Sequence, residues 1–447
     1  FLNYIIMSIS LSHEIDYSSK AELHPNYRLD QLTQQTNGTA VTLTAAGGNN
    51  SLFEINPVAF NLSKSYLCFD YTTPLVALNV SQQFKSCLPH IRQIQFYGRN
   101  GQMICDLQNF DIYTRIIFNS DISHEELTNS TSDTPIFRNN VINNDATITG
   151  ANAARPGAQQ RANLNYIEQA YVINGGAAAA TTSRYRIPLS YFKNTIFALD
   201  KDLYFGDITY LRIYWNSYVN IAYTSNGVTN EGNIGALAAD VQLSNLYLYL
   251  AVETNEKINA TLAQTISSNI GLNTLFDFVY QENFSPTGAQ PSFYVKYGPG
   301  MGLRLKRIYW CFLDNPIAAN TRYDISNMTG ADLNNFYAEL DSQRIIQYNI
   351  DCQDANGNHD YMILSDRLKG GAIQNRNIYQ YNWFWCESFD GLKFHEHDDN
   401  LEAGIEIDKV EHKYQVYART NGAAYSWYVF AVVQRRLNIT SLGITVI

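Results

Sequence analysis

The stretch RQIQFYGRNGQMICDL, Arg92 to Leu107, reads as a strand, an Asn-Gly turn at Asn100 and Gly101, and a second strand. Asn-Gly suits a hairpin because both residues tolerate the positive φ that a type I′ turn requires. Far downstream, QRIIQYNIDCQDANGNHDYMIL, Gln343 to Leu364, repeats that order with a longer turn: Ile346, Gln347 and Tyr348 lead to Asn356 and Gly357, then to Met362 and Ile363. Two further matches follow in sequence. DITYLRIYW, Asp207 to Trp215, has a counterpart in DKVEHKYQVYA, Asp408 to Ala418, and NLYLYLAVET has one in SWYVFAVVQR, with Ala251 and Val252 matched to Ala431 and Val432. Matches in one order, each block closing at its last strand, predict an internal duplication.

The surroundings of these hairpins are β-rich. Short runs of β-branched and aromatic residues broken by turn residues, the signal of a sandwich, begin at Leu52: SLFEINPVAF, SYLCFDYTT, FDIYTRIIF, RYRIPL, ITYLRIYWNSYVNIAY and VQLSNLYLYLAVET. In the last run Leu246, Leu248 and Leu250 alternate with Tyr247 and Tyr249, which predicts a strand with both faces covered. The Asn-, Ala- and Gly-rich stretch from Ser120 to Ser183 breaks the pattern and is expected to be a surface excursion between strands. After a polar, strand-poor segment, a second block runs through TLFDFVYQENF, GLRLKRIYWCFL, the second hairpin, NIYQYNWFWCESF, AGIEIDKVEHKYQVYART and SWYVFAVVQRRLNI. One amphipathic helix is expected, in TGADLNNFYAELDSQ, where Leu333, Phe336, Tyr337 and Leu340 fall at helical spacing behind Thr329 as N-cap. The expected organisation is an N-terminal arm over 1–51, a first sandwich over 52–253 with the inserted loop 120–183, a linker over 254–272, and a second sandwich over 273–447.

Composition bounds the function. Of 447 residues only 16% are charged, against about 25% in an average globular chain. With 32 Tyr and 22 Phe, the chain is suited to half-buried strands and to broad contact surfaces. The net charge of -10 opposes direct nucleic-acid binding, which takes clustered Lys and Arg. The local groups Arg304, Lys306 and Arg307, and Arg435 and Arg436, are expected to be ends of solvated strands. Cysteines 68, 87, 105, 311, 352 and 386 form no Cys-x-x-Cys pair and read as free thiols of a reducing compartment. Asn-x-Ser/Thr sequons such as Asn61, Asn79, Asn129, Asn259 and Asn438 arise readily in so Asn-rich a chain. The apolar run FLNYIIMSISL falls far short of the roughly 20 residues of a membrane span, and a soluble chain starting at Met7 is expected.

One constellation carries possible chemistry. FHEHDDNLE holds His395, Glu396, His397, Asp398, Asp399 and Glu402. In an extended segment His395 and His397 point the same way, so a two-His metal clip, completed by a carboxylate such as Asp399 or by His412, stands against the leading reading of a polar inter-strand loop without metal. YGPGMGLR, Tyr297 to Arg304, lacks the Lys-Ser/Thr of a phosphate loop and has strand flanks. DANGNHD resembles part of a Ca²⁺ loop through Asp351, Asp354, Asn356, Asn358 and Asp360, yet lacks the terminal Glu spacing and reads as a hairpin tip. No Gly-x-Ser-x-Gly elbow and no catalytic Cys signature occurs, so neither an enzyme nor a cofactor is expected.

Two tandem sandwiches of about eight strands, one with a long insertion, resemble the double jelly-roll major capsid proteins of tailless icosahedral DNA viruses, which include the adenovirus hexon lineage, membrane-containing tailless phages, virophages and polinton-like viruses. The resemblance lies in layout, length and composition, with no short motif to carry residues across. It implies an all-β double jelly roll, a homotrimer whose six rolls form a pseudo-hexagonal tile, and a place in the virion capsid after assembly inside the host cell. The implied partners are copies of itself, neighbouring capsomers, penton and minor capsid proteins, and an internal membrane reached through other proteins. The 120–183 excursion becomes a tower or trimer clamp in that setting, and the N-terminal arm a strap under a neighbour. The competing function is a tandem β-sandwich that binds glycans through aromatic surfaces, as a lectin or virus attachment protein does.

Overall fold

The computed structural model of the chain describes residues 25–36, 38–44, 46–73, 80–84, 90–120, 170–175, 181–217, 222–225, 232–233, 241–268, 270–285, 292–314, 333–352, 359–365, 367–368, 383–389, 404–420 and 425–447. Two sets of strands carry the fold. The first comprises β1 (Tyr27–Thr33), β2 (Asn50–Ile55), β3 (Phe60–Thr73), β4 (Ile91–Gly98), β5 (Met103–Leu107), β6 (Thr181–Pro188), β7 (Thr209–Trp215) and β8 (Val241–Glu253). They pair as a larger sheet, β1-β8-β3-β6, and a smaller one, β2-β7-β4-β5. The second set comprises β9 (Leu272–Phe284), β10 (Ser292–Tyr297), β11 (Arg304–Asp314), β12 (Leu333–Leu340), β13 (Ile350–Asp351), β14 (Trp385–Ser388), β15 (His412–Thr420) and β16 (Tyr425–Thr440). These pair as β9-β16-β11-β14 and β10-β15-β12-β13. Each strand of the first set thus has a counterpart eight places later, and in each set the first strand pairs with the last: two jelly rolls in tandem. A further sheet joins Gly232–Asn233, Ala222–Ser225, Val80–Phe84 and Ala170–Gly175, so the excursion after Ser120 contributes a strand of its own.

The duplication is real, but its sequence alignment is shifted. Strand β7 matches β15 and β8 matches β16, as the sequence predicts. The second hairpin, however, is not Gln343 to Leu364. It is β12 turning back at Asp341 and Ser342, with Leu340 opposite Gln343, and then returning as β13 opposite Asn335 and Phe336. Met362 and Ile363 lie in a helix, α3 below, and Asn356 and Gly357 fall outside the described residues. In the first hairpin only Gly101 has positive φ (81°), and Gly98 N–H bonds the Gln102 carbonyl at 3.0 Å around the intervening Arg99, Asn100 and Gly101, a three-residue loop in place of a type I′ turn.

Among the described residues are three α-helices, α1 (Phe110–Ser120), α2 (Glu256–Ser267) and α3 (His359–Ser365), and two short 3-10 turns at Leu189–Tyr191 and Ile196–Ala198. FDIYTRIIF, expected as a strand, forms most of α1, because Phe110, Tyr113 and Ile117, with Ile112 and Ile116, satisfy the helical period and outweigh β-branched propensity. The segment expected to be amphipathic helix is instead strand β12. A register shift between Leu333 and Asn335 puts Leu333 and Phe336 on the buried side at a spacing of three, which imitates helical periodicity. The expected arm supplies β1, paired with β8 from Tyr27–Glu253 to Thr33–Tyr247, as well as Val41–Leu43. The expected linker is α2, capped by Asn255 and burying Ile258, Leu262 and Ile266.

Each roll closes on an aromatic core. In the first, Phe69 packs edge-on to Trp215 at 5.3 Å and against His90 and Tyr185, and the Trp215 indole donates to Ser51 Oγ at 2.8 Å. In the second, Trp310 meets Phe336 and Trp383 and donates to the Tyr414 hydroxyl at 2.9 Å. Trp215, Trp310, Trp383, Trp385 and Trp427 are all core residues, so Tyr, and not Trp, supplies the aromatic surface.

At the β12 turn Asp341 (φ 53°) and Ser342 (φ 66°) both occupy the left-handed region, where a non-glycine residue is strained. Ser342→Gly is expected to stabilise the protein by about 1 kcal/mol, read as a higher midpoint of denaturant unfolding with an unchanged slope.

Candidate interaction surface

The two rolls meet through a helix laid on a sheet face. Strand β16 is buried on both sides: Trp427, Val429, Ala431 and Val433 face its own core, while Phe430 and Val432 face the first roll. Tyr113 of α1 packs on Phe430 with ring centroids 5.2 Å apart. The Tyr113 hydroxyl donates to the Lys193 carbonyl at 3.3 Å and accepts from Asn194 Nδ2 at 2.9 Å, which fixes the ring in place. Beside Phe430 lies Tyr309 of β11, whose hydroxyl accepts from Arg307 Nη1 at 3.2 Å. A second touch point joins Gly98 to Ile444, where a Cβ added to Gly98 would stand 2.6 Å from the isoleucine Cδ1. Helix α2 spans both rolls at one end, its Ile266 approaching Gly206 and accepting a backbone bond from Ser441.

This contact explains a misreading of charge. Lys306 and Arg307 are not solvated: they are 7% and 3% exposed, with Lys306 Nζ 2.8 Å from Asp277 Oδ1. Arg435 is also half-buried, over the rings of Phe278 and Tyr280, and burial pulls its pKa down.

Among the described residues, the same sheet face on the first roll has no such helix over it. The sequence holds a signal for this equivalence that the hairpin comparison misses: Tyr66-Leu67-Cys68-Phe69 in β3 recurs as Tyr309-Trp310-Cys311-Phe312 in β11. Tyr66 pairs with Tyr249 and Cys68 with Tyr247, as Tyr309 pairs with Phe430 and Cys311 with Tyr428. Tyr249 is therefore the counterpart of Phe430, and the Ala251–Ala431 match is one residue out of register, a slip that exchanges the two faces of a strand. Tyr66, Tyr247 and Tyr249 are half-buried and Leu29 on β1 is 46% exposed, so the outward face of this strand is only partly covered, in place of the full cover on both faces that its alternation predicts. Arg186 lies over the Tyr66 ring at 3.8 Å, and Arg184 forks onto Asp70 at 2.8 and 3.1 Å. That fork, joined by Asn245, holds the Asp70 carboxyl below its ordinary range. Burial pushes the Cys68 thiol up to about 11, leaving it unreactive at neutral pH.

The candidate metal ligands His395, His397 and Asp399 lie outside the described residues. His412 is placed, and both its ring nitrogens are engaged: Nδ1 with Asp341 Oδ2 at 2.6 Å and Nε2 with the Glu406 carbonyl at 3.0 Å. A carbonyl only accepts, so this geometry suits the doubly protonated ring; burial works against the charge, but Asp341 and the carbonyl prevail and raise the pKa. Among the described residues no group of His, Cys, Asp and Glu is arranged to hold a metal. Tyr297 closes β10 and Arg304 opens β11, so the Gly298, Gly300 and Gly302 loop has the strand flanks expected of it.

Helix α1 also carries a titratable device. Asp111 is 8% exposed and accepts from Asn216 Nδ2 at 2.9 Å, but burial dominates and raises its pKa to about 6. The folded chain thus holds a proton that the unfolded chain has released between about pH 4 and 6, and stability falls as pH rises through that window. Asp111→Asn should remove this slope and stabilise the protein at pH 8 by on the order of 2 kcal/mol, measured as the difference from wild type in denaturant unfolding across pH 4 to 8.

No protein-family model matches the chain, and no curated protein matches it in sequence. Solved structures do match. VP54 of PBCV-1, fitted into a cryo-EM reconstruction of the virophage Sputnik, superposes with a TM-score of 0.56 at 13% identity, over 95% of this chain and 97% of that one. A quasi-atomic model of the PBCV-1 virus capsid superposes with a TM-score of 0.53, also at 13% identity over 95% and 97% of the two chains. At that identity the likeness is one of fold, and it agrees with the strand pairing: the chain is a double jelly roll built like the PBCV-1 capsid structure.

Proposed function

We propose that this chain is a structural virion protein, the major capsid protein of an icosahedral virus. It assembles as a homotrimer whose six jelly rolls form a pseudo-hexagonal tile of the shell. The observation that carries the reading is the pair of equivalent rolls joined by an aromatic helix-on-sheet contact, while the matching sheet face of the first roll keeps Tyr66, Tyr247 and Tyr249 only half-buried. A tile must cover its sides with neighbour contacts, and interface cores favour Tyr and Phe while tolerating few Lys and Glu. The likeness in fold to the PBCV-1 capsid supports the same role. The mechanism is burial of aromatic and amide-rich surface between subunits. Neighbouring capsomers, penton and minor capsid proteins are the further partners in this reading, the virion capsid is its location, and an acidic chain leaves genome contact to other molecules.

The test is electron microscopy of the purified protein brought to high concentration. The expected result is units of six-lobed outline that tile into sheets or shells. Dispersed two-lobed single chains at every concentration would contradict the proposal.

A further inference from the structure

The internal contact has a chemical counterpart that the described residues leave unmatched. Helix α3 follows β13 as α1 follows β5. Each helix carries a buried aspartate as its second residue: Asp111 accepts from Asn216 Nδ2 at 2.9 Å, and Asp360 accepts from the Trp383 indole at 3.0 Å. Aligned on those aspartates, Tyr113 of α1 corresponds to Met362 of α3. Tyr113 is 1% exposed because the second roll covers it; Met362 is 63% exposed, with Tyr348 at 53% nearby on the same roll. On the receiving side, Phe430 is covered, whereas its counterpart Tyr249 is only half-buried.

We propose that α3 of one copy docks on the outward face of β3 and β8 of a second copy, seating Met362 against Tyr249 and Tyr66 as Tyr113 seats on Phe430 beside Tyr309 within the chain. The inference rests on the homotrimer reading and names the surfaces that make it. Both halves of the contact are present on every chain and differ from each other, so the contact is head-to-tail and propagates around a ring. Alternating the internal and intermolecular versions over three chains closes six rolls. A thioether suits this position because it is flexible and packs favourably on aromatic rings, and Arg186 and Leu29 flank the tyrosines as a mixed polar and apolar rim.

The test compares wild type, Met362→Asp, Tyr249→Arg and, as a control, Leu442→Asp, which alters a side chain 98% exposed on the C-terminal turn. Sedimentation velocity gives the assembled mass, and circular dichroism with thermal melting reports the fold. The expected result is a trimeric wild type and control, and a threefold loss of mass in Met362→Asp and Tyr249→Arg with unchanged spectra. Because Met362 is solvent-exposed in the single chain, its substitution leaves the roll intact; should Tyr249→Arg unfold, Met362→Asp alone decides. A Met362→Asp variant that stays trimeric overturns this inference and leaves the trimer reading standing. A monomeric wild type overturns both.

Discussion

The structure depends on one constraint: the larger sheet of the second roll is apolar on both faces. From Ser426 to Gln434 all residues but the half-buried Tyr428 are buried, more than a single sandwich requires of a strand. A sheet covered on one side only would leave Phe430, Val432, Tyr309 and Cys311 in water, and an apolar face must find a second layer. The first roll provides it through Tyr113 of α1 on Phe430 and through β5 and Ile196–Ala198 beside β9, with α2 tying the two rolls at one end. The tandem is therefore obligatory for the second roll, and the buried Lys306 and Arg307 are tolerated because Asp277 and Tyr309 engage them.

The corresponding face of the first roll is chemically milder. Tyr249 stands where the second roll has Phe430, and Arg186 lies across Tyr66, so the face tolerates water in the free chain and still offers large aromatic area to a partner. In the proposed trimer the permanent contact is apolar and the assembly contact amphipathic, the division expected when single chains must stay dissolved before they associate.

Much of this is legible in the sequence, and the failures have physical causes. Alternation in β8 and β9 reports strands directly because one face of each meets a core, whereas β16 is a continuous apolar run because both its faces are covered. The helix α1 and the strand β12 are exchanged in the sequence reading because a β-bulge and a helix both place apolar residues three apart, and β-branched residues in α1 favour the wrong choice. The duplication is visible, but Ala-Val is a poor anchor, since small apolar residues recur on either face; Tyr-x-Cys-Phe is better because a large outward ring and a core ring fix the register. The open face could not be found from composition, which counts tyrosines without saying what lies over them. Asp111 and Asp360 align the two helices only after the strands are paired.

The measurement that bears most directly on the account is the mass of the purified wild-type protein by light scattering over a range of concentrations and ionic strengths. The account predicts a persistent species of three times 50.7 kDa, little affected by salt because the joining surfaces are aromatic and not ionic. A stable single-chain mass under all conditions would contradict it and leave the open tyrosine face to some other partner, such as the glycan of the competing reading.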